Sequence, residues 1–162
     1  MSVFKIIKTK QAKQLFGLFR FFIKPLFFTI ATVKATLNAY QISQKYFPNK
    51  HGLHNKANAF RHALWNVLIA ESCFKVNRDV VKANHWAKKI TNWYEDLFIN
   101  KELPRFMDLH NNQFGREFLK ENYNQSKEKL VQKLLFFTDK SIKISYVNEG
   151  KENEHKLVYI SE

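Results

Sequence analysis

A row of polar side chains on one predicted helix is the part of this sequence best suited to chemistry. Asn58, His62 and Asn66 are spaced four residues apart, so they share one face of a helix. The apolar residues around this row are Ala59, Ala63, Leu64, Val67, Leu68, Ile69 and Ala70. Buried amide and imidazole groups need hydrogen-bond partners. The row therefore predicts a buried polar centre, although it does not name a reaction.

A second polar stretch, Met107–Arg116, follows on another predicted helix. Four of its residues can share one face at spacings of three and four: Asp108, Asn111, Asn112 and Arg116. His110 is expected to point elsewhere. Helices of a bundle can bring such side chains together in its interior. The second stretch therefore adds a carboxylate, two amides and a guanidinium to the predicted centre.

The elements that must position these groups are mostly helical. The hydrophobic spacing predicts helices over residues 26–46, 55–74, 79–98, 105–123 and 127–139. Asn55 is suited to cap the second of these helices, and Asp79 suits the start of the third. The tail alternates differently and predicts a small hairpin from residues 142–146 and 157–160. The expected fold class is a mainly α, single-domain helical bundle with a short C-terminal β-hairpin.

Length and composition indicate one domain in three parts. A chain of 162 residues can bury a sizeable core. We divide it into a basic, Phe-rich helical segment (1–49), a helical core that bears the motifs (50–140) and the hairpin (141–162). The lone Cys73 excludes an internal disulfide and a cysteine-based zinc cluster, which fits a reducing compartment. We expect a cytoplasmic protein, with the inner membrane face as a further location.

The net charge of +13 is concentrated in the first part of the chain. Residues 1–70 contain eleven Lys or Arg and no Asp or Glu, whereas residues 71–162 contain sixteen bases and fourteen acids. Such a one-sided basic segment suggests an anionic partner: a phospholipid surface, a nucleic acid or an acidic protein. The alternative is that the charge only keeps the protein dispersed. Nucleic acid is the weaker option, because no recognised nucleic-acid motif occurs.

Residues 15–46 are the most apolar part of the sequence, and within them the window 15–33 has about the length needed to span a bilayer. Arg20 and Lys24 interrupt this window, and each costs about 2.5–3.5 kcal/mol at the centre of a membrane-spanning helix. A spanning helix is therefore not expected, and no convincing signal-peptide cleavage site follows. Two interpretations remain: an amphipathic helix on an anionic membrane, or Phe residues packed under the rest of the domain.

The two polar stretches together resemble a bacterial family of unknown function, DUF6973. Its members carry an N/D-AFRHA-[LY]-WN helix and, later, MDL-[HY]-NN-x-x-GR, which correspond here to Asn58–Asn66 and Met107–Arg116. Between them members usually show a His-Glu pair. The Glu is present as Glu95, but Tyr94 stands at the His position. The resemblance covers roughly residues 50–120 and implies a site without implying a reaction.

The first functional hypothesis is enzymatic. His62 would be the general acid or base, tuned by Glu95 or Asp108. Arg61 or Arg116 would bind an anionic group, and Asn58, Asn66, Asn111 and Asn112 would orient substrate or water. The favoured reaction is hydrolysis of an ester or phosphodiester. A nucleophilic Ser or Cys motif is absent from the sequence.

Three alternatives stay open. A metal ion could be bound by His62, Glu95 and Asp108, although the paired E-x-x-H pattern of helical metal sites is absent and Tyr94 removes an imidazole. The polar residues could form only a structural hydrogen-bond network. The protein could also be a non-enzymatic module that binds an anionic phospholipid surface or a small ligand. The sequence identifies neither a cofactor, a metal nor an oligomeric state.

Overall fold

The computed structural model describes residues 26–50, 53–97 and 101–161. The helices are α1 (Leu26–Tyr46), α2 (Lys56–Asn77), α3 (Val80–Leu97), α4 (Glu102–Asn122), α5 (Lys127–Asp139) and the short α6 (Val147–Lys151). The strands are β1 (Ile142–Lys143) and β2 (Val158–Tyr159). The predicted mainly α fold is therefore confirmed. Residues 15–25 of the apolar window 15–33 lie outside the described residues, and so do the two interpretations given for their Phe side chains.

Helix α2 is the centre of the bundle and packs against α1, α3, α4, α5 and β2. It is buried on nearly every side, so both its apolar and its polar faces meet other helices. The buried face of α1 consists of small residues: Ala31, Thr32, Ala35, Ala39 and Ser43. Small side chains on this face allow α1 to lie close along α2.

Local chemistry at the helix ends follows the sequence closely. The Asn55 side chain accepts a hydrogen bond from the backbone N–H of Asn58 at 3.2 Å and caps α2 as predicted. Arg78, with φ 56°, ends α2 in the left-handed region. Asp79 then accepts from the backbone N–H of Lys82 at 3.0 Å in the first turn of α3.

Helix α4 begins earlier than the sequence pattern indicates. The sequence pattern predicts a start at residue 105, with Pro104 in the preceding loop. The helix instead begins at Glu102, so Pro104 lies in its first turn. The first-turn N–H groups have no partner within the helix, and proline is tolerated there because it only lacks such a group.

The predicted C-terminal β-hairpin is wrong in one respect: the two strands are parallel. Ile142 pairs with Val158, and Lys143 with Tyr159. The residues between them do not make a tight turn, because Glu149 caps α6 by accepting from the backbone N–H of Ser145 at 2.6 Å. The helical connection carries the chain back to the start of β1, which gives parallel pairing.

No helix among residues 26–50, 53–97 and 101–161 has both the length and the hydropathy needed to cross a bilayer. The division of the chain into parts 1–49, 50–140 and 141–162 stays a prediction.

Candidate functional site

His62 on α2 lies at the centre of the candidate site and is only 2% exposed. Its two ring nitrogens face different groups. Nδ1 is 3.2 Å from Asn112 Oδ1 and 3.5 Å from Glu95 Oε1. Nε2 is 2.9 Å from Arg61 Nη2 and 3.3 Å from Asp108 Oδ1. The imidazole is therefore placed between two carboxylates, one at each nitrogen.

These contacts assign the protons of the ring. A guanidinium can only donate, so Nε2 accepts from Arg61 and carries no proton. The single proton of the neutral imidazole is then on Nδ1, which donates to Asn112 Oδ1. Burial and the charge of Arg61 lower the pKa of His62 to about 3, which keeps the ring neutral at physiological pH.

Asp108 on α4 is the second titratable group of the site. Burial, with a smaller contribution from the nearby Glu95, raises the pKa of Asp108 to about 7. Burial also raises the pKa of Glu95. Asp108 Oδ1 lies 3.3 Å from Nε2 of His62, beside Arg61, which donates to that nitrogen at 2.9 Å. Between about pH 3 and pH 7 both His62 and Asp108 are uncharged, and each holds one proton.

Asn58 positions the acidic and basic groups relative to one another. Its Nδ2 donates to Asp108 Oδ1 at 3.2 Å, and its Oδ1 accepts from Arg61 Nη2 at 2.6 Å. A single buried amide therefore fixes both the carboxyl and the guanidinium beside His62. Asn58 uses both its donor and its acceptor for this.

Deeper in the bundle, Asn66 joins α2, α3 and α4. Its Nδ2 donates to the His62 carbonyl at 3.1 Å and to Asn112 Oδ1 at 2.7 Å. Its Oδ1 accepts from Arg116 Nη1 at 2.9 Å and is 3.1 Å from the Thr91 hydroxyl. The amide has no hydrogen-bonding capacity left for a ligand. This half of the centre is a saturated network.

Asn112 connects the two halves. Its Oδ1 accepts from both His62 and Asn66, and its Nδ2 donates to Glu95 Oε1 at 3.3 Å. Asn112 and Asn66 are both completely buried. The amide of Asn112 thus holds the imidazole in its tautomer from the side of the ring that faces the interior.

Asn111 points away from this centre. Its Nδ2 donates to the Val158 carbonyl at 2.8 Å, and its Oδ1 accepts from the Val158 N–H at 3.0 Å. The side chain therefore fastens β2 to α4. The structure brings together the other eight predicted site residues: Asn58, Arg61, His62, Asn66, Glu95, Asp108, Asn112 and Arg116.

A cleft of about 170 Å³ leads to His62 from outside. Its lining residues are Thr36, Ala39, Tyr40, Arg61, His62, Trp65 and Tyr94. The Trp65 and Tyr94 rings meet edge to face at 5.2 Å, and Trp65 Nε1 donates to Thr36 Oγ1 at 2.8 Å. Tyr94, which replaces the His expected from the family resemblance, thus forms a wall of the cleft.

Sequence reasoning missed Thr91 and the aromatic wall. Thr91 gives no signal, because a threonine inside a helix commonly bonds the carbonyl four residues back, as Thr91 also does at 3.0 Å to Ala87. Trp65 belongs to the first motif but looks like a core residue by type. Only the packing of α1 against α2 reveals that it borders an opening.

The arrangement has the chemistry of a metal site only in part. His62, Glu95 and Asp108 each offer one ligand atom, and these atoms lie within 4.8 Å of one another. However, Glu95 is nearest to Nδ1 and Asp108 is nearest to Nε2. One ion cannot bind both nitrogens of a ring, and Arg61 already occupies the Nε2 lone pair. The present geometry therefore suits proton transfer better than metal binding.

The fold and the site define a helical domain whose central helix carries a buried imidazole between two buried carboxylates. A family model described as "Domain of unknown function (DUF6973)" matches residues 19–142. The chain therefore belongs to the DUF6973 family. A comparison with curated proteins and one with solved structures each found no match.

Proposed function

We propose that this domain is a hydrolase that cleaves an anionic ester, most simply a phosphodiester, in the cleft beside Arg61 and His62. The observation that carries the proposal is that the two ring nitrogens of His62 have different partners and different protonation. Nδ1 is held by Asn112 and Glu95, while the unprotonated Nε2 is directed at Arg61. A base oriented from behind and free of a proton in front is what general-base catalysis needs.

Arg61 is better placed than Arg116 to bind the anionic group of a substrate. It lines the cleft and is partly exposed, whereas Arg116 is buried and donates to Asn66. A substrate phosphate would draw the guanidinium away from Nε2 and partly neutralise it. Both effects raise the pKa of His62, because the charge of Arg61 is one of the causes that lower it.

Asp108 supplies the matching acid. With its pKa raised to about 7, this carboxyl is still about half protonated near neutral pH and can donate its proton. In the proposed reaction His62 takes a proton from an attacking water, the oxygen of that water bonds to phosphorus, and Asp108 protonates the departing alkoxide. Glu95, next to Nδ1, stabilises the imidazolium that forms. His62 then returns its extra proton to the Asp108 carboxylate, which restores the starting state.

The test is hydrolysis of bis(p-nitrophenyl) phosphate and of a neutral p-nitrophenyl ester by the full chain. We expect the phosphodiester to be cleaved, His62→Gln and Asp108→Asn to lower kcat, and Arg61→Gln to raise KM chiefly for the phosphodiester. Gln113→Ala, at an exposed position of α4, is the control and should behave like the parent. Absence of hydrolysis of both substrates by the folded parent would reject the proposal.

The alternative is that the polar centre is structural or only binds a small ligand. The saturation of Asn66 favours a structural role for its own half of the network. It does not account for the half at the cleft, where His62 and Arg61 line an opening. Binding of inorganic phosphate without any turnover, lost in Arg61→Gln, would favour the ligand-binding alternative.

A metal-assisted variant is tested in the same assay. Zn²⁺ or Mn²⁺ bound by His62, Glu95 and Asp108 would require Arg61 to move and one carboxylate to swing to the other ring nitrogen. If hydrolysis depends on added metal and is lost in EDTA, this variant replaces the metal-free acid–base mechanism. Activity that is unchanged in EDTA would support the acid–base mechanism.

A further inference from the structure

Helix α1 presents an apolar stripe that no other described element covers. It consists of large residues spaced three and four apart along the helix, which are 45–59% exposed: Leu26 (59%), Ile30 (45%), Val33 (56%), Leu37 (59%) and Tyr40 (58%). Phe27 (72%) lies beside it. At 1.5 Å per residue the stripe is about 20 Å long. A contiguous apolar row of this kind marks an interaction site.

We infer that the α1 stripe docks on an anionic lipid surface. The stripe belongs to the part of the chain, residues 1–70, that has eleven Lys or Arg and no acid. Lys34 lies next to Val33 on the exposed side of α1. A helix with an apolar face and a cationic surrounding binds at the boundary between headgroups and acyl chains. The complementary partner is therefore a surface that is both apolar and negatively charged.

The cleft lies close to the α1 stripe, as expected if α1 faces the lipid surface. Tyr40 belongs to the stripe and also lines the cleft, and Thr36 lies on the same helix between Val33 and Tyr40. When α1 lies on a bilayer, the cleft mouth is at the level of the lipid headgroups. Arg61 inside the cleft would then meet a phosphate. This step rests on the proposed function and narrows its substrate class to phosphate-bearing lipids, whereas the docking itself does not depend on any chemistry.

The experiment is co-sedimentation of the full chain with vesicles of phosphatidylcholine, with and without phosphatidylglycerol. We expect binding to the anionic vesicles that weakens as salt is added, because salt screens the charge attraction. The test variant is Val33→Asp/Leu37→Asp, which changes two exposed positions of the stripe. It should lower the partition coefficient by about tenfold or more.

A matched control variant adds the same two negative charges outside the stripe. Val76→Asp/Val81→Asp also adds two acids at exposed apolar positions, 49% and 72% exposed, on α2 and α3. It should bind nearly as well as the parent. Circular dichroism of all three proteins establishes that they are folded. An equal loss in both double variants would mean that net charge alone governs binding, and would overturn the stripe as the docking surface.

Two further outcomes would also overturn the proposal. The parent could fail to sediment with anionic vesicles at low salt. It could instead elute as a dimer that Val33→Asp/Leu37→Asp dissociates, without vesicle binding, which would assign the stripe to a second copy of the chain. His62→Gln should bind vesicles like the parent, so loss of hydrolysis and loss of docking can be told apart.

Discussion

Gly115 on α4 lies directly against the backbone of Ala63 on α2, with no room for a methyl group between the helices. A Cβ at Gly115 would meet the carbonyl oxygen and the Cα of Ala63. Both residues belong to the conspicuous sequence motifs, one place after His62 and one before Arg116. The closeness of the two backbones lets the short Asn112 side chain reach both His62 and Asn66.

We therefore expect Gly115→Ala to destabilise the protein in spite of the higher helix propensity of alanine. The contact is with backbone, which cannot move aside as a flexible side chain can, and overpacking of this kind costs about 1–3 kcal/mol. The free energy of unfolding in urea measures the effect. Gln113→Ala, at an exposed position on the same helix, should change it little. An unchanged stability in Gly115→Ala would contradict the close approach of α2 and α4.

The two hydrogen bonds between Asn111 and β2 predict that substitutions of Asn111 lower the free energy of unfolding. Asn111→Ala removes the partners of the Val158 N–H and carbonyl, both in a buried environment, and should cost about 2–3 kcal/mol. Asn111→Asp can still accept from the N–H but cannot donate to the carbonyl. Its charge would also be buried. Urea unfolding should rank both variants below the parent, and a parent-like Asn111→Ala would show that β2 is held by other contacts.

The pKa shifts of His62 and Asp108 predict opposite pH dependences for two variants. An unfolded His62 gains a proton below about pH 6.5, whereas the buried ring stays neutral down to about pH 3, so His62 makes the fold less stable as pH falls through this window. An unfolded Asp108 ionises near pH 3.8, but the buried carboxyl stays protonated up to about pH 7. Asp108 therefore makes the fold less stable as pH rises.

In the parent these two contributions oppose one another. Asp108→Asn keeps the His62 contribution but loses that of Asp108, so its stability relative to the parent should fall as pH is lowered from about 7 to 3.8. His62→Gln loses the His62 contribution, so its stability relative to the parent should fall as pH is raised from about 3 to 6.5. Each difference approaches ~1 kcal/mol per pH unit. Urea unfolding at four pH values decides the matter, and slopes of equal sign would refute the assignment.

Cys73 should be inert in the folded protein. It is fully buried, and burial raises the pKa of its thiol to about 12 from an ordinary 9.0. The thiolate fraction near neutral pH is then smaller by roughly a thousandfold. Reaction with Ellman's reagent should require unfolding by urea, whereas an introduced Val76→Cys, at an exposed position of the same helix, should react at once. Rapid labelling of Cys73 without urea would contradict its burial.

Helix positions and much of the polar centre were predictable because they depend on local spacing. The bounds of α1 and α5 agree with the hydrophobic period, and the cap at Asn55 follows from residue type. His62, Asp108 and Asn112 meet because α2 and α4 each place polar residues on the face toward the other. Such regularities require no knowledge of distant packing.

Features that depend on the path of the chain were not predictable. Asn111 and Asn112 were expected on one shared face, but neighbouring residues on a helix diverge by about 100°, and only the position of β2 decides what Asn111 meets. Strand direction likewise depends on α6, whose Glu149 cap is a weak signal in a turn-rich segment. The cleft requires α1 against α2, a contact that no motif encodes.

The link between Asn111 and Val158 joins positions 47 residues apart, and this separation has a consequence during protein synthesis. A ribosome releases α2, α3 and α4, with all the residues around His62, before it releases β2. The helical framework of the site can therefore assemble while the buried amide of Asn111 still faces water. Once Val158 has been released, it pairs with Asn111 and covers that side of α4, so β2 is added to the fold after the centre has formed.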